Sequence, residues 1–287
     1  MKSYPTLISP WNSSVRIKVQ ACLNTSCLNR GFANVDIQGT PALLLVGGMG
    51  TRLRSVLPST PKPLASVGNQ SFLHLLVQQL RSQGIRRLVM CTGYLADQVE
   101  SEFGDGRALD TKIEYSREIE PLGTAGAVKL AQSKLGQVSE FLVMNGDSFL
   151  EVDLHQLIQF HRKHGGLVTI AVARVENASR YGTVQVDTEQ KVIGFMEKAG
   201  SNRPGLINGG VYVFDPRVFE HIPNGPASLE KDVFPLLLNK GVYALEHHGM
   251  FIDIGTPEDY ARAQQLCDQL YGATLPQPDS SSRSAKV

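Results

Sequence analysis

Residues 42–46, ALLLV, carry nothing polar, and they run into Gly47, Gly48 and Gly50. An apolar run of that length suits a parallel strand covered on both faces, where no alternation is needed. Glycines at that density extend neither a strand nor a helix, because bare backbone loses the most freedom on ordering. The chain therefore turns out of its sheet there. In an open α/β sheet, the loop leaving a strand's carboxyl end is where ligands bind. Glycines in that loop let backbone N–H groups close on an anion with no Cβ between them.

The same grammar repeats downstream. SFLHLLVQQLRSQG (71–84) sets Phe72, Leu73, Leu76 and Leu80 at helical spacing, with Ser71 as N-cap and Gly84 as stop. RRLVMC (86–91) predicts a strand, ADQVESEF (96–103) a helix and KIEYS (112–116) a strand. GTAGAVKLAQSKL (123–135) predicts a helix, EFLVM (140–144) a strand and LHQLIQFHRKHG (154–165) a helix. Such alternation builds right-handed crossovers on a mostly parallel sheet. Past residue 166 the pattern changes. LVTIAVARV (167–175), GTVQVD (182–187), KVIGFMEK (191–198) and GGVYVFD (209–215) are strands with hardly room for helices between them. An antiparallel insert on the same sheet is expected. SLEKDVFPLLLNKG (228–241) reads as one helix. PEDYARAQQLCDQL (257–270) closes the α/β fold, with Thr256 as N-cap and Pro257 at the first helical position.

Bulk properties exclude several classes. The 287 residues are 42% hydrophobic and 19% charged, with a net charge of +1. That field holds neither nucleic acid nor an anionic membrane. No apolar run approaches the roughly 18 residues of a spanning helix, and the N-terminus shows no secretory signal, so a cytoplasmic location is expected. Cys22, Cys27, Cys91 and Cys267 make no zinc spacing, and reduced thiols are expected. Residues 1–40 form an N-terminal extension of unknown role, in which VRIKV (15–19) alternates like a short strand. Residues 41–272 are expected to form the globular domain. The segment 273–287, rich in Ser and Pro, reads as a disordered tail.

Charge collects near the glycine loop. Arg52 offers a planar fork and Lys62 a point charge, and Pro61 and Pro63 hold the lysine in an extended segment. Together they suit a triphosphate, although a tight strand-to-loop turn is the plainer reading of the glycines. The GxxxxGK[ST] pattern fails, because Lys62 lies twelve residues past Gly50. Asp147 ends EFLVMNGD and Asp253 lies in FIDIGTP. Two strand-end carboxylates can hold one octahedral Mg²⁺ between phosphates; capping a turn or the next helix is their plainer use. His155, His161 and His164 read as solvated helix histidines.

Five motifs follow one another: GGMGTRLR…PKPL (47–64), PLGTAGA (121–127), NGD (145–147), EK (197–198) and DIGTPEDY (253–260). In this order they resemble the sugar-1-phosphate nucleotidyltransferases, over about residues 42–271. The resemblance implies a Rossmann-like, mostly parallel sheet flanked by helices, with an antiparallel sugar-binding portion. It implies NTP plus sugar 1-phosphate giving NDP-sugar and pyrophosphate with Mg²⁺, as in nucleotide-sugar supply for cell-surface polysaccharide. By resemblance, Arg52, Lys62 and Asp147 are catalytic, and Asp147 and Asp253 bind the metal. Leu45, Gly47, Gly48, Gly50 and Thr51 hold the nucleotide, together with Glu118, Gly123 and Thr124. Gly182, Glu197, Lys198 and Asn208 hold the sugar phosphate. Glu118, in the position that reads the base edge, only accepts hydrogen bonds, which suits the paired N1–H and N2–H₂ donors of guanine. TRLRSVLPSTPKPL with YSREIEPLGTAGA is most similar to the D-glycero-D-manno-heptose-1-phosphate guanylyltransferases. The expected pair is therefore GTP and that heptose 1-phosphate. A uridylyl- or thymidylyltransferase acting on another hexose or amino-sugar 1-phosphate is the alternative, and a non-catalytic NDP-sugar-binding module is a third reading. No nucleic-acid or membrane partner is expected, and a homo-oligomer is compatible with the sequence.

Overall fold

A computed structural model describes residues 36–196 and 203–274. The expected strand at 15–19, Cys22, Cys27, the Glu197–Lys198 pair and the tail from 275 onwards lie outside the described residues.

The first strand, β1 (Ala42–Leu45), runs directly into the glycine loop. Two 3₁₀ turns (Thr51–Leu53 and Lys62–Leu64) and a small hairpin, β2 (Ser66–Val67) with β3 (Gln70–Ser71), lead to α1 (Phe72–Ser82). Ser71 stands at the N-cap of α1, but its hydroxyl does no capping: it donates to Glu102 Oε1 at 2.6 Å. Then come β4 (Arg87–Thr92), α2 (Ala96–Phe103) and β5 (Lys112–Arg117). The helix expected over 123–135 is two pieces, α3 (Gly123–Leu130) and α4 (Gln132–Leu135), parted at Ala131. After β6 (Phe141–Asn145) and the short β7 (Ser148–Leu150), α5 (Leu154–His164) crosses back.

The antiparallel part is β8 (Val168–Val175), β9 (Thr183–Val186), β10 (Val192–Met196) and β11 (Gly205–Phe214). The segment 228–241 is not the single helix its pattern suggests. It is a π turn (Leu229–Val233), a short α6 (Phe234–Leu237) and a 3₁₀ turn (Leu238–Lys240). Pro235 is the reason: it has no N–H to donate, and its ring would meet the Lys231 carbonyl in a continuous α-helix. The chain closes with β12 (Val242–His247), β13 (Phe251–Asp253), α7 (Pro257–Gln265) and α8 (Cys267–Ala273). Thr256 caps α7 as expected, its Oγ1 accepting from Asp259 N–H. Ala273 ends α8, and Thr274 is buried.

Among the described residues, a nine-stranded sheet carries the fold. β5, β4, β1 and β6 are parallel neighbours in that order. β11 joins antiparallel to β6, β8 pairs antiparallel with β11, and β12 lies parallel to β8. The β9–β10 hairpin meets the start of β11 at Ile207 and Thr183. Alternate residues of the central strands feed two separate cores. Leu44, Met90 and Met144 pack on one face with α1 and α5; Leu43, Val89 and Val143 pack on the other with α3 and 229–237. That is why ALLLV needs no polar face. His161 corrects the solvated reading of the helix histidines. It falls on the Leu154, Leu157, Ile158 stripe of α5, is buried, and meets Thr169 Oγ1 at 2.9 Å through Nδ1. Among the described residues no helix is long and apolar enough to cross a membrane.

Candidate active site

Parallel pairing puts Leu45 of β1 beside Asn145 of β6, so the loops that leave both strands start side by side. A cleft of about 360 Å³ opens there. Its walls include every residue expected to hold the nucleotide: Leu45, Gly47, Gly48, Gly50, Thr51, Glu118, Gly123 and Thr124. Arg52, Lys62 and Asp147 line it as well.

The two ends of the glycine loop touch. Gly50 has φ +56°, a left-handed conformation, and a Cβ there would stand 3.0 Å from Lys62 Cβ. The loop thus folds its glycine end onto its lysine end, across the twelve residues that broke the familiar phosphate-loop spacing. Leu53, buried in the 3₁₀ turn, anchors the stretch between. Its neighbour Arg52 is exposed and makes no ion pair among the described residues. An unspent guanidinium on the rim of an anion-sized cleft is free to meet phosphate.

Lys62 is spent in the free protein. Its Nζ lies 2.6 Å from Asp147 Oδ2 and 3.8 Å from Asp253 Oδ1. Asp253 reaches the site because β13 pairs with β7, and Ile254 N–H donates to Asp147 O at 3.0 Å. Burial, and then the neighbouring Asp147 charge, push the Asp253 carboxyl above its ordinary pKa, against the pull of Lys62. Asp253 Oδ1 is buried without a hydrogen-bond partner. Among the described residues no group of three or more His, Cys, Asp or Glu gathers as a metal cage. Two carboxylates with an orphaned oxygen, beside this cleft, fit Mg²⁺, which takes one or two carboxylates and completes its shell with phosphates and waters.

Glu118 stands against Gly47 and Gly93: a Cβ on Gly47 would come within 2.9 Å of its Oε1. Its Oε2 accepts from Leu122 N–H at 3.1 Å, which ties it to the loop before α3. Burial raises its pKa, partly offset by that bond. Thr124 is engaged by its own chain. Its Oγ1 accepts Leu229 N–H at 2.8 Å and donates to Glu230 at 3.2 Å. The Cys91 thiol is pushed up to about 12 by burial first and by Glu118 second, so it is an apolar wall and no nucleophile.

The sugar-side residues are placed differently. Gly182 is exposed at the start of the β9–β10 hairpin. Asn208 sits behind the cleft wall, its Nδ2 donating to Tyr212 Oη at 2.8 Å and its Oδ1 accepting from Gly210 N–H at 2.9 Å. Glu197 and Lys198 lie outside the described residues. Sequence reasoning missed Asn145, Tyr212 and Glu230. Asn145 lies inside the NGD motif, beside its aspartate; Tyr212 and Glu230 carry no local signal.

Residues 41–269 match the family model described as nucleotidyl transferase, most of the chain. The chain belongs to the nucleotidyl transferase family. Among curated members, the mannose-1-phosphate guanylyltransferase catalytic subunit beta of Drosophila pseudoobscura pseudoobscura is 40% identical over 254 residues, 87% of this chain and 67% of that protein. The mannose-1-phosphate guanylyltransferase of Mycobacterium tuberculosis is 40% identical over 225 residues, 77% of this chain and 62% of that protein. The chain thus spans 62% to 67% of the length of these two relatives. Among solved structures, HddC from Yersinia pseudotuberculosis complexed with GMP-PN aligns with TM-score 0.71 and 33% identity, covering 79% of this chain and 98% of that one. A putative glucose-1-phosphate thymidylyltransferase from Bacillus anthracis, at 24% identity and TM-score 0.72, shares the nucleotidyl transferase fold.

Proposed function

We propose that this nucleotidyl transferase moves guanosine monophosphate from GTP to a sugar 1-phosphate of manno configuration, giving a GDP-sugar and pyrophosphate. The observation that carries the reading is the meeting of Arg52, Lys62 and Asp147 at one cleft beyond β1 and β6, with Asp253 Oδ1 3.8 Å from Lys62 Nζ. Guanine is supported by the names of the guanylyltransferase relatives and by the guanine nucleotide analogue in HddC. The relatives' names favour mannose 1-phosphate. The motif likeness favours D-glycero-α-D-manno-heptose 1-phosphate, which shares the mannose ring and differs beyond C5.

A phosphate oxygen of the sugar 1-phosphate attacks the α-phosphorus of GTP. The bond from that phosphorus to the bridging β-oxygen breaks, and pyrophosphate leaves with the electron pair. The nucleophile is already ionised, so no base is required, and the difficulty is bringing anions together. Arg52 meets the leaving phosphates, and Lys62 leaves the carboxylates for charge developing on the bridging oxygen. Asp147 and Asp253 would hold Mg²⁺, which when bound neutralises and aligns the phosphates. Glu118 accepts from the guanine edge. Glu197 and Asn208 take sugar hydroxyls beside Gly182, and Lys198 takes the sugar's phosphate.

The test is a matrix of GTP, ATP, UTP, CTP and dTTP against mannose, D-glycero-D-manno-heptose, glucose and N-acetylglucosamine 1-phosphates, with Mg²⁺, scored by pyrophosphate. GTP with a manno sugar is expected to lead. A preference for UTP or dTTP with a gluco sugar overturns the substrate assignment. Silence across the matrix overturns catalysis and leaves a binding module.

A further inference from the structure

Tyr212 is wholly buried on β11, and its hydroxyl is a meeting point for three side chains. Asn208 Nδ2 donates to it at 2.8 Å, and the Asn145 amide meets it as well. On its remaining side lies Glu230 Oε1, at 3.4 Å. A carboxylate only accepts, so the single phenolic proton goes to Glu230. The phenol oxygen is then purely an acceptor for the other two, and both amides must present their NH₂ groups. Burial, aided by the Glu230 charge, holds the phenol well above its ordinary pKa, so that proton stays. Glu230 is itself braced through Oε2 by the Thr124 and Ser228 hydroxyls, at 3.2 and 2.9 Å.

This logic assigns which way round each amide sits, normally an ambiguous matter. Asn208 Oδ1, turned away from Tyr212, finds Gly210 N–H. Asn145 Oδ1, likewise turned away, finds nothing. It is buried without a partner, although Asn145 lines the cleft with Leu45 and Asp147. An orphaned buried acceptor is a standing cost that a bound donor removes. Phosphates offer acceptors only and would repel an amide oxygen. The remaining donors in a nucleotide and a sugar phosphate, besides the base edge, are their hydroxyls.

We propose that Asn145 contacts substrate and sets specificity, its Oδ1 accepting a hydrogen bond from a substrate hydroxyl. Tyr212 and Glu230 are the positioning residues that hold its amide that way round. The inference rests on the nucleotidyl transfer proposed above and deepens it. The sugar is the nearer source, because Asn145 shares the Tyr212 hydroxyl with Asn208 on the strand read as the sugar side. A ribose hydroxyl offers the same chemistry.

Steady-state kinetics on the full chain reads the contact, using GTP and mannose 1-phosphate, the monodeoxy analogues of that sugar phosphate, and 2′- and 3′-deoxy-GTP. The wild type is expected to lose roughly 5- to 100-fold in kcat/KM on one deoxy substrate. Asn145→Ala is expected to lose a similar factor on the parent pair and to treat parent and that analogue alike. Tyr212→Phe keeps the ring and frees the amide to flip, so it raises KM for the same substrate with kcat within roughly threefold. Should Asn145→Ala fail to fold, Tyr212→Phe carries the test through a reduced ratio of parent to deoxy substrate. A loss on a deoxy sugar, or on a deoxy-GTP, supports the acceptor and names its source. Full wild-type discrimination retained by Asn145→Ala, or by Tyr212→Phe where it stands alone, overturns the proposal while the function above stands. A wild type that releases no pyrophosphate with any sugar 1-phosphate overturns the function, and this inference with it.

Discussion

Lys62 stands between two carboxylates in the free protein, and the proposed chemistry asks it to serve phosphate instead. Its charge matters most as pyrophosphate leaves, so Lys62→Ala should lower kcat far more than it raises KM for GTP. A raised KM with intact kcat would make Lys62 a ground-state ligand. Asp147→Asn removes the carboxylate that Lys62 pairs with at 2.6 Å. With Asp147 half-exposed, the melting temperature should hardly move, while turnover falls roughly 100- to 1000-fold, as for loss of one preorganised electrostatic contact. Chelating the divalent ion from wild type should give the same loss. Full activity in the Asn variant, or in chelator, would remove the metal role. Under the proposed function Glu118 has two tasks, since Leu122 N–H already occupies Oε2. Glu118→Gln turns one oxygen into a donor facing guanine donors, and kcat/KM for GTP should fall roughly 30- to 150-fold while UTP use holds or rises. An unmoved GTP-to-UTP ratio would place base reading in the backbone.

At the scale of the element, the glycine loop separates conformational need from space. Gly50 sits at φ +56° with Lys62 Cβ 3.0 Å from where its own Cβ would be, whereas a Cβ on Gly48 meets nothing within 4 Å. Gly50→Ala should cost about 1–2 kcal/mol in urea unfolding and reduce kcat by displacing Lys62. Gly48→Ala should leave stability unchanged. Equal effects at both positions would show that the turn is not what holds the lysine. The 228–241 segment shows where element-level reading fails. Its apolar spacing is helical, but Pro235 splits it, and the π turn that results carries Glu230 to Tyr212.

For the whole molecule, two buried histidines set a pH limit. Burial, ahead of all other influences, lowers His161 and His247 from about 6.5 to about 4. Both are neutral in the fold, whereas the unfolded chain takes up protons on them below about 6.5. Their contribution is complete above that value and is lost as pH falls toward 4, because the unfolded state then binds more protons. Urea midpoints should drop between pH 7 and pH 5, and His247→Leu should flatten the drop. The difference between variant and wild type cancels Asp253 and Glu118, whose raised values act in the opposite direction. Parallel pH profiles for the two proteins would mean that His247 is not buried neutral.

What the sequence determined by itself is whatever burial writes locally. ALLLV, LVMC (88–91) and FLVM (141–144) announce strands because both sheet faces are covered and every position there is apolar. The glycine loop and the two aspartates were legible because each lies at or just past a strand end, and Lys62 because two prolines flank it. His161 falls at i+7 from Leu154 on the buried stripe, so its spacing, against its polarity, marks it as buried. Only the tertiary structure decided that β11 enters between β6 and β8, and so brings Tyr212 behind Asn145. Residues 145, 212 and 230 meet at one hydroxyl across a separation no periodicity spans. A hydrogen bond needs partners within about 3 Å, and which distant segments come that close is set by strand pairing and by where Pro235 breaks its helix. Composition and pattern leave no trace of the strand pairing.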